Sequence, residues 1–385
     1  MRKFLFVITM MVIISGLVLA GCAAPAPAPA PAPAPVPTPT PGKVEYPTPA
    51  PAPAPVVKPA PTTPAVPAAT KPIKMRYTQH SPAGATNAII VNSFGQSIEK
   101  ATNNRIEFTY YHGQEICKFN ATYDAVITGL ADVGWGFTGF YPGRFSLTDM
   151  VTLPCLDIPN ATVGSLAMVN NFKKFPEVQA EFKDVKLLTL QSHQGAPIGS
   201  NVPIRSLEDL KGLKIRSPAG PPAEWLKLAG AVPIMMGPGD IYTSMEKGVI
   251  DGWTIDLVGA FHSFRLHEVT KWYVQPYTYV GAFWIVMNKG KWNSLPPDIQ
   301  KTIESVSNEV GAKLLGGGWD EAEVTVRKDY NITADNMVTL SDEEWARWIE
   351  IGEQVWENEM IRLEGKGLNP RPVLEETLKF VEANK

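Results

Sequence analysis

Cysteine is scarce in this chain, with three in 385 residues, at Cys22, Cys117 and Cys155. So few exclude a disulfide-stapled scaffold, and no two have the paired spacing of a zinc site. Histidine is also scarce: His80, His112, His193, His262 and His267. None belongs to an H-E-x-x-H motif, and His262 and His267, five apart, are expected on different sides of a helix. No G-x-S-x-G elbow is present. Cys117 and Cys155 have no local sign of thiolate activation and read as isolated buried thiols. Charge of one sign is missing as well. The formal net charge of −3 argues against nucleic acid as a partner. Carboxylate pairs such as Glu343-Glu344 fall on surface-like helices. With no catalytic, metal or cofactor constellation, the expectation is a protein that binds without converting and is not an enzyme.

What is present begins at the amino end. Arg2 and Lys3 precede an apolar run from Phe4 to Ala20. Its length approaches that of a membrane span. However, Leu19-Ala20-Gly21-Cys22 resembles a bacterial lipobox, so residues 1–21 read as an export signal with Cys22 as the lipidated mature terminus. Several acyl chains at one cysteine would hold the protein to the membrane, each buried CH₂ contributing about 0.8 kcal/mol. Residues 22–72 are an Ala/Pro-rich spacer. Proline fixes φ and removes the amide donor, which points to a semi-rigid polyproline II stalk.

The folded body is expected from Ile73. Ile73, Met75 and Tyr77 alternate as in a half-buried strand, and Ile90, Phe94 and Ile98 mark one face of a helix. Ile106, Phe108 and Tyr110 alternate again, Ala121 to Leu130 has helical spacing, and Ala131 to Gly136 reads as a short strand. Further strands are expected at 185–191, 213–216, 232–235, 249–253 and 280–287. Helices are expected at 222–229, at 241–247 and from Pro297 onward. There Ile299, Ile303, Val306 and Val310 share a face, Gly316 to Gly318 mark a kink, and Ser341 with Glu344 forms a capping box. The pattern implies two α/β lobes with largely parallel sheets and a helical C-terminal section. Gly134 to Gly139 matches G-x-G-x-x-G, but Phe140-Tyr141-Pro142-Gly143 cannot open the helix that would receive a pyrophosphate.

From about Lys74 to Asn288 the chain resembles the solute-binding proteins of TRAP transporters, the DctP type. The motifs are Gly129-Leu-Ala-Asp132-Val-Gly-Trp135, Tyr141-Pro-Gly-Arg-Phe145 and Leu213-Lys-Ile-Arg216-Ser-Pro218. They continue with Gly230-Ala-Val-Pro233 and Lys247-Gly-Val-Ile-Asp251-Gly252. The resemblance implies a two-lobed periplasmic-binding-protein-like fold with crossing strands that closes over a ligand. It also implies one small and one large membrane subunit as partners. Arg216 occupies the family's arginine position, where a guanidinium fork grips a carboxylate. Ala196, Ile255 and Ala282 stand where sugar-acid binders carry polar residues, which argues against a polyhydroxylated ligand. By the same matching Trp135, Phe137, Trp253 and Trp284 are expected near the cleft, Trp253 foremost, with Trp284 equally suited to the core. His80 is expected to face the cleft and donate to the ligand.

The division that follows is lobe I at 73–196 with 279–320, and lobe II at 197–278 with 321–385. The function implied is capture of a small organic acid with an apolar or aromatic body. The alternatives are a receptor for an ABC importer or sensor, and a tethered hydrolase or lyase.

Overall fold

The structure is a computed structural model that describes residues 71–385. The expected export signal, Cys22 and nearly all of the Ala/Pro-rich segment lie outside the described residues.

The strands are β1 (Ile73–Thr78), β2 (Ile106–Tyr111), β3 (Val133–Phe137), β4 (Val185–Ser192), β5 (Ala196–Ser200) and β6 (Lys214–Ser217). They continue with β7 (Val232–Met235), β8 (Gly252–Thr254), β9 (Trp272–Tyr279), β10 (Ala282–Asn288) and β11 (Met337–Thr339). The helices are α1 (Thr86–Ala101), α2 (Thr122–Ile127), α3 (Ala161–Lys174), α4 (Pro176–Ala180), α5 (Pro221–Leu228) and α6 (Ile241–Glu246). After them come α7 (Lys289–Asn293), α8 (Pro297–Val306), α9 (Glu309–Asp329), α10 (Asp342–Glu364) and α11 (Arg371–Glu382).

The first sheet has the order β2-β1-β3-β10-β4 and the second β11-β9-β5-β8-β6-β7. Both are mixed, not largely parallel. β10 runs antiparallel to β3 and β4, and β5 runs antiparallel to β8 and β9. The cause is a two-stranded ribbon that passes from one sheet into the other. β4 leads to β5 through residues 193–195, and β9 to β10 through residues 280–281, with Ala196 opposite Tyr279 and Ala282 opposite Ser192. Gly281 belongs at this crossing because a Cβ there would lie 2.4 Å from the His193 ring.

Helices bury their apolar stripes on these sheets. α1 turns Ile90, Phe94 and Ile98 inward, as its spacing predicts. α2 is shorter than its periodicity, because Gly129 takes a left-handed φ of 77° and ends the turn. The C-terminal section departs further. The break falls at Ser307–Asn308, not at the glycines. There the Asn308 amide donates to the Leu188 carbonyl (2.7 Å) and the Thr189 hydroxyl donates to the Asn308 carbonyl (2.8 Å). Hydrogen bonds to β4 thus replace those a continuous helix would make. α9 then runs uninterrupted through Gly316–Gly318. A Cβ at Gly316 would sit 2.6 Å from the Thr162 Cα, so glycine there permits close packing on α3. Ser341 accepts from the Glu344 amide at 3.2 Å, but the Glu344 carboxylate turns to the Leu207 amide at 2.7 Å, leaving half a capping box. β11 interrupts the expected helical run.

Residues 321–385 do not belong wholly to the second lobe. α10 packs on α5, but α11 returns to α3, where Asn171 Nδ2 donates to Thr377 Oγ1 at 2.7 Å. Cys155 is a buried free thiol, whereas the free thiol Cys117 is partly exposed. His262 and His267 do not diverge; both rings contact Tyr330. Among the described residues no helix is long and apolar enough to cross a membrane.

Candidate ligand-binding site

Arg216 lies in β6, paired in parallel with β7 and β8. A side chain near the carboxyl end of such strands stands where α/β sheets hold ligands. The guanidinium is only 3% exposed. Its Nε donates to the Met236 carbonyl (3.2 Å) and its Nη1 to the Thr254 carbonyl (2.9 Å), fixing the fork between the ends of three strands. Nη2 has no protein acceptor, and no ion pair among the described residues involves Arg216. Burial pulls its pKa down from the ordinary arginine value. A buried cation with no ion-pair partner is costly, and an anion in the adjoining cavity would remove that cost.

Facing it is a small cavity, about 40 Å³, walled by the first sheet and its loops on one side and the second on the other. Trp135 and Phe137 alternate along β3 onto this wall, and Phe283 joins them from β10 at register with Phe137. The Trp135 and Phe283 rings stack with centroids 4.9 Å apart and planes 5° from parallel. Gln191 Oε1 accepts from the Trp135 indole at 3.1 Å and fixes its tilt. His80 stacks on the other side of Trp135 at 4.5 Å, and burial lowers its pKa to about 4. It is therefore neutral at physiological pH. Ile255, Phe264 and Pro238 close the opposite wall.

Four expected residues thus converge: Arg216, His80, Trp135 and Phe137 all line one cavity. Two do not. Trp253 is fully buried beneath β5, its indole spread over Gly199 and its Nε1 donating to Thr270 Oγ1 at 2.8 Å. Trp284 points to the opposite face of β10 from Phe283. It packs over Gly136 and against Tyr123 and Phe145. Both are core, so neither walls the cavity. Of the three apolar replacements, Ile255 lines the cavity and Ala196 and Ala282 do not.

The sequence reading missed Phe283, Tyr279, His193, Phe140 and Asp256 as cavity residues. Phe283 had a usable signal, since it alternates with Trp284 in a strand. Tyr279 and His193 reach the site only because the ribbon crosses there. The Tyr279 hydroxyl donates to the Thr254 carbonyl at 3.3 Å beside Arg216, and burial pushes its pKa up to about 12. A larger cleft, about 370 Å³ and bordered by Leu153, Pro276, Tyr277 and Trp345, carries Asp157 and no cationic side chain. It therefore does not suit an anion. Among the described residues no group of three or more His, Cys, Asp or Glu side chains could hold a metal.

Residues 78–363 match the model of the bacterial extracellular solute-binding proteins, family 7, the DctP family. The chain belongs to that family. A solute-binding protein of Albidiferax ferrireducens is 25% identical over 282 residues, covering 72% of this chain and 82% of the relative. The fold matches a TRAP solute-binding protein from a marine metagenome, specific for aromatic acid ligands and holding 3-hydroxybenzoate. Its TM-score is 0.76 at 26% identity, covering 82% of this chain and 99% of that one. A TRAP solute-binding protein from Rhodoferax ferrireducens T118, holding copurified benzoate, has the same fold. It gives a TM-score of 0.76 at 22% identity, covering 81% of this chain and 98% of that one. This solute-binding protein therefore shares with those structures its two-sheet mixed α/β fold and helical C-terminal section.

Proposed function

We propose that this solute-binding protein captures a monocarboxylate with an aromatic body and delivers it to the small and large membrane subunits of a TRAP transporter. The carrying observation is a buried arginine, unpaired by any carboxylate, facing walls of Trp135, Phe137 and Phe283. The ligand carboxylate takes the free edge of the Arg216 fork with two charge-assisted hydrogen bonds. Its ring stacks among the aromatic side chains, which have few polar groups to satisfy hydroxyls of a sugar acid. The marine relative's specificity for aromatic acids supports the same reading.

The cavity of about 40 Å³ is smaller than the roughly 150 Å³ that holds a benzene ring. Entry therefore requires the lobes to part, and closing them over the ligand expels water and strengthens the ion pair. The body acts as a receptor, not an enzyme. Cys22 carries the lipid that tethers it, and the Ala/Pro spacer gives reach. Labelling with a radioactive fatty acid tests the tether: the label is expected on the native protein and not on Cys22→Ala. Isothermal titration of residues 73–385 tests the ligand class. Benzoate is expected to bind and D-glucuronate is not; binding of the sugar acid alone sinks the proposal.

A further inference from the structure

We propose that His80 is a specificity-determining residue that selects, among aromatic acids, those bearing a hydroxyl group on the ring. This rests on the ligand class proposed above and adds to it the substituent.

Every other polar side chain in the cavity wall has at least one partner. Arg216 donates to two carbonyls, and the Tyr279 hydroxyl bonds to Thr254. Asp256 Oδ1 accepts from the Gly259 amide at 2.8 Å and from the Trp319 indole at 3.3 Å. His193 Nδ1 contacts the Gln194 carbonyl and the Gly281 amide, and Asn87 Oδ1 accepts from Ser263 Oγ at 3.0 Å. His80 has none. Its Nδ1 is fully enclosed without a partner, and no hydrogen bond among the described residues involves its Nε2.

The ring cannot turn away to find one. Trp135 stacks on its face with planes 13° from parallel, and Phe140 meets it edge-on with centroids 6.2 Å apart. An enclosed ring nitrogen without a partner is costly, and that cost is removed by a ligand that supplies one. The neutral imidazole offers one donor and one acceptor. A hydroxyl can act as either, so it meets His80 whichever tautomer is present. The ligand's carboxylate is already held by Arg216, which leaves the ring substituent as the group available to His80. A site with an unmet polar group discriminates against the analogue that lacks the matching hydroxyl.

The test is calorimetric titration with benzoate and with 2-, 3- and 4-hydroxybenzoate. Wild-type protein is expected to bind at least one hydroxy isomer about tenfold more tightly than benzoate. His80→Phe keeps the stack but removes both nitrogens. Its ratio of hydroxy-acid affinity to benzoate affinity is expected to fall to about one, whatever the change in benzoate binding itself. His80→Leu, read by the same two affinities, serves if the larger ring prevents folding. Equal affinities for all four acids in wild type overturn the proposal, as does a hydroxy-acid preference over benzoate that survives in either variant. If wild type binds none of the four, the aromatic-acid reading itself fails and this inference falls with it.

Discussion

In the proposed site, truncating Arg216 leaves an incoming carboxylate desolvated between the lobes without a partner. Arg216→Ala is therefore expected to weaken binding of an aromatic acid by about 3–5 kcal/mol in titration calorimetry. Arg216→Lys retains charge but not the planar fork, and is expected to recover only a minor part of that loss. Retained affinity in either variant would remove Arg216 from the site. A second residue-scale outcome concerns Asp149, whose Oδ1 is enclosed without a partner and whose carboxyl is pushed up to about 7 by burial. The folded state thus holds this proton more tightly than the unfolded chain does. The resulting stability is fully present below the unfolded pKa near 4 and is lost as pH rises through about 7. Urea denaturation is expected to show wild type losing on the order of 2 kcal/mol more than Asp149→Asn between pH 5 and pH 8. Parallel pH profiles for the two proteins would refute it. At this scale the sequence was informative where chemistry is rare. Arg216 was singled out by the motif order of the family resemblance, whereas Trp253 and Trp284 were not separable from Trp135. All three are large and fully buried, and only their neighbours decide whether the covered face meets core or cavity.

Among the elements, α9 shows how tertiary contact reassigns a local signal. Three consecutive glycines in a helical pattern suggest a kink, yet Gly316 is a contact with α3 and Gly317 has nothing within 4 Å of its missing Cβ. Gly316→Ala is expected to cost about 1–3 kcal/mol through forced displacement of the two helices. Gly317→Ala is expected to stabilise by up to about 1 kcal/mol through helix propensity. Chemical denaturation of the two variants checks the pair, and a shared sign would show that close approach is not what Gly316 provides. The break at Asn308 was illegible for the same reason. Its hydrogen bonds come from Leu188 and Thr189, far away in sequence and near only once β4 is in place. Strands with local alternation were easier to read, as Ile73, Met75 and Tyr77 show in β1, whereas β5, β9 and β11 carried no such signal.

For the whole molecule, the cavity is walled by two sheets joined by a ribbon, so the proposed ligand would contact both at once. An acid at about a hundredfold above its dissociation constant is expected to stabilise the native state by about 2.7 kcal/mol. Thermal melting should rise with benzoate and not with D-glucuronate. An unchanged melting temperature at saturating benzoate would rule out binding to the folded form. The sequence by itself determined the α/β class, the family motifs and the position of Arg216 among them. Each of these depends on residue type, local period or motif order along the chain. Tertiary structure alone decided that the sheets are mixed, that α11 returns to the first lobe and that Tyr279, His193 and Phe283 meet Arg216 across a cavity. These depend on where the ribbon crosses, and that is settled by packing between residues far apart in the chain.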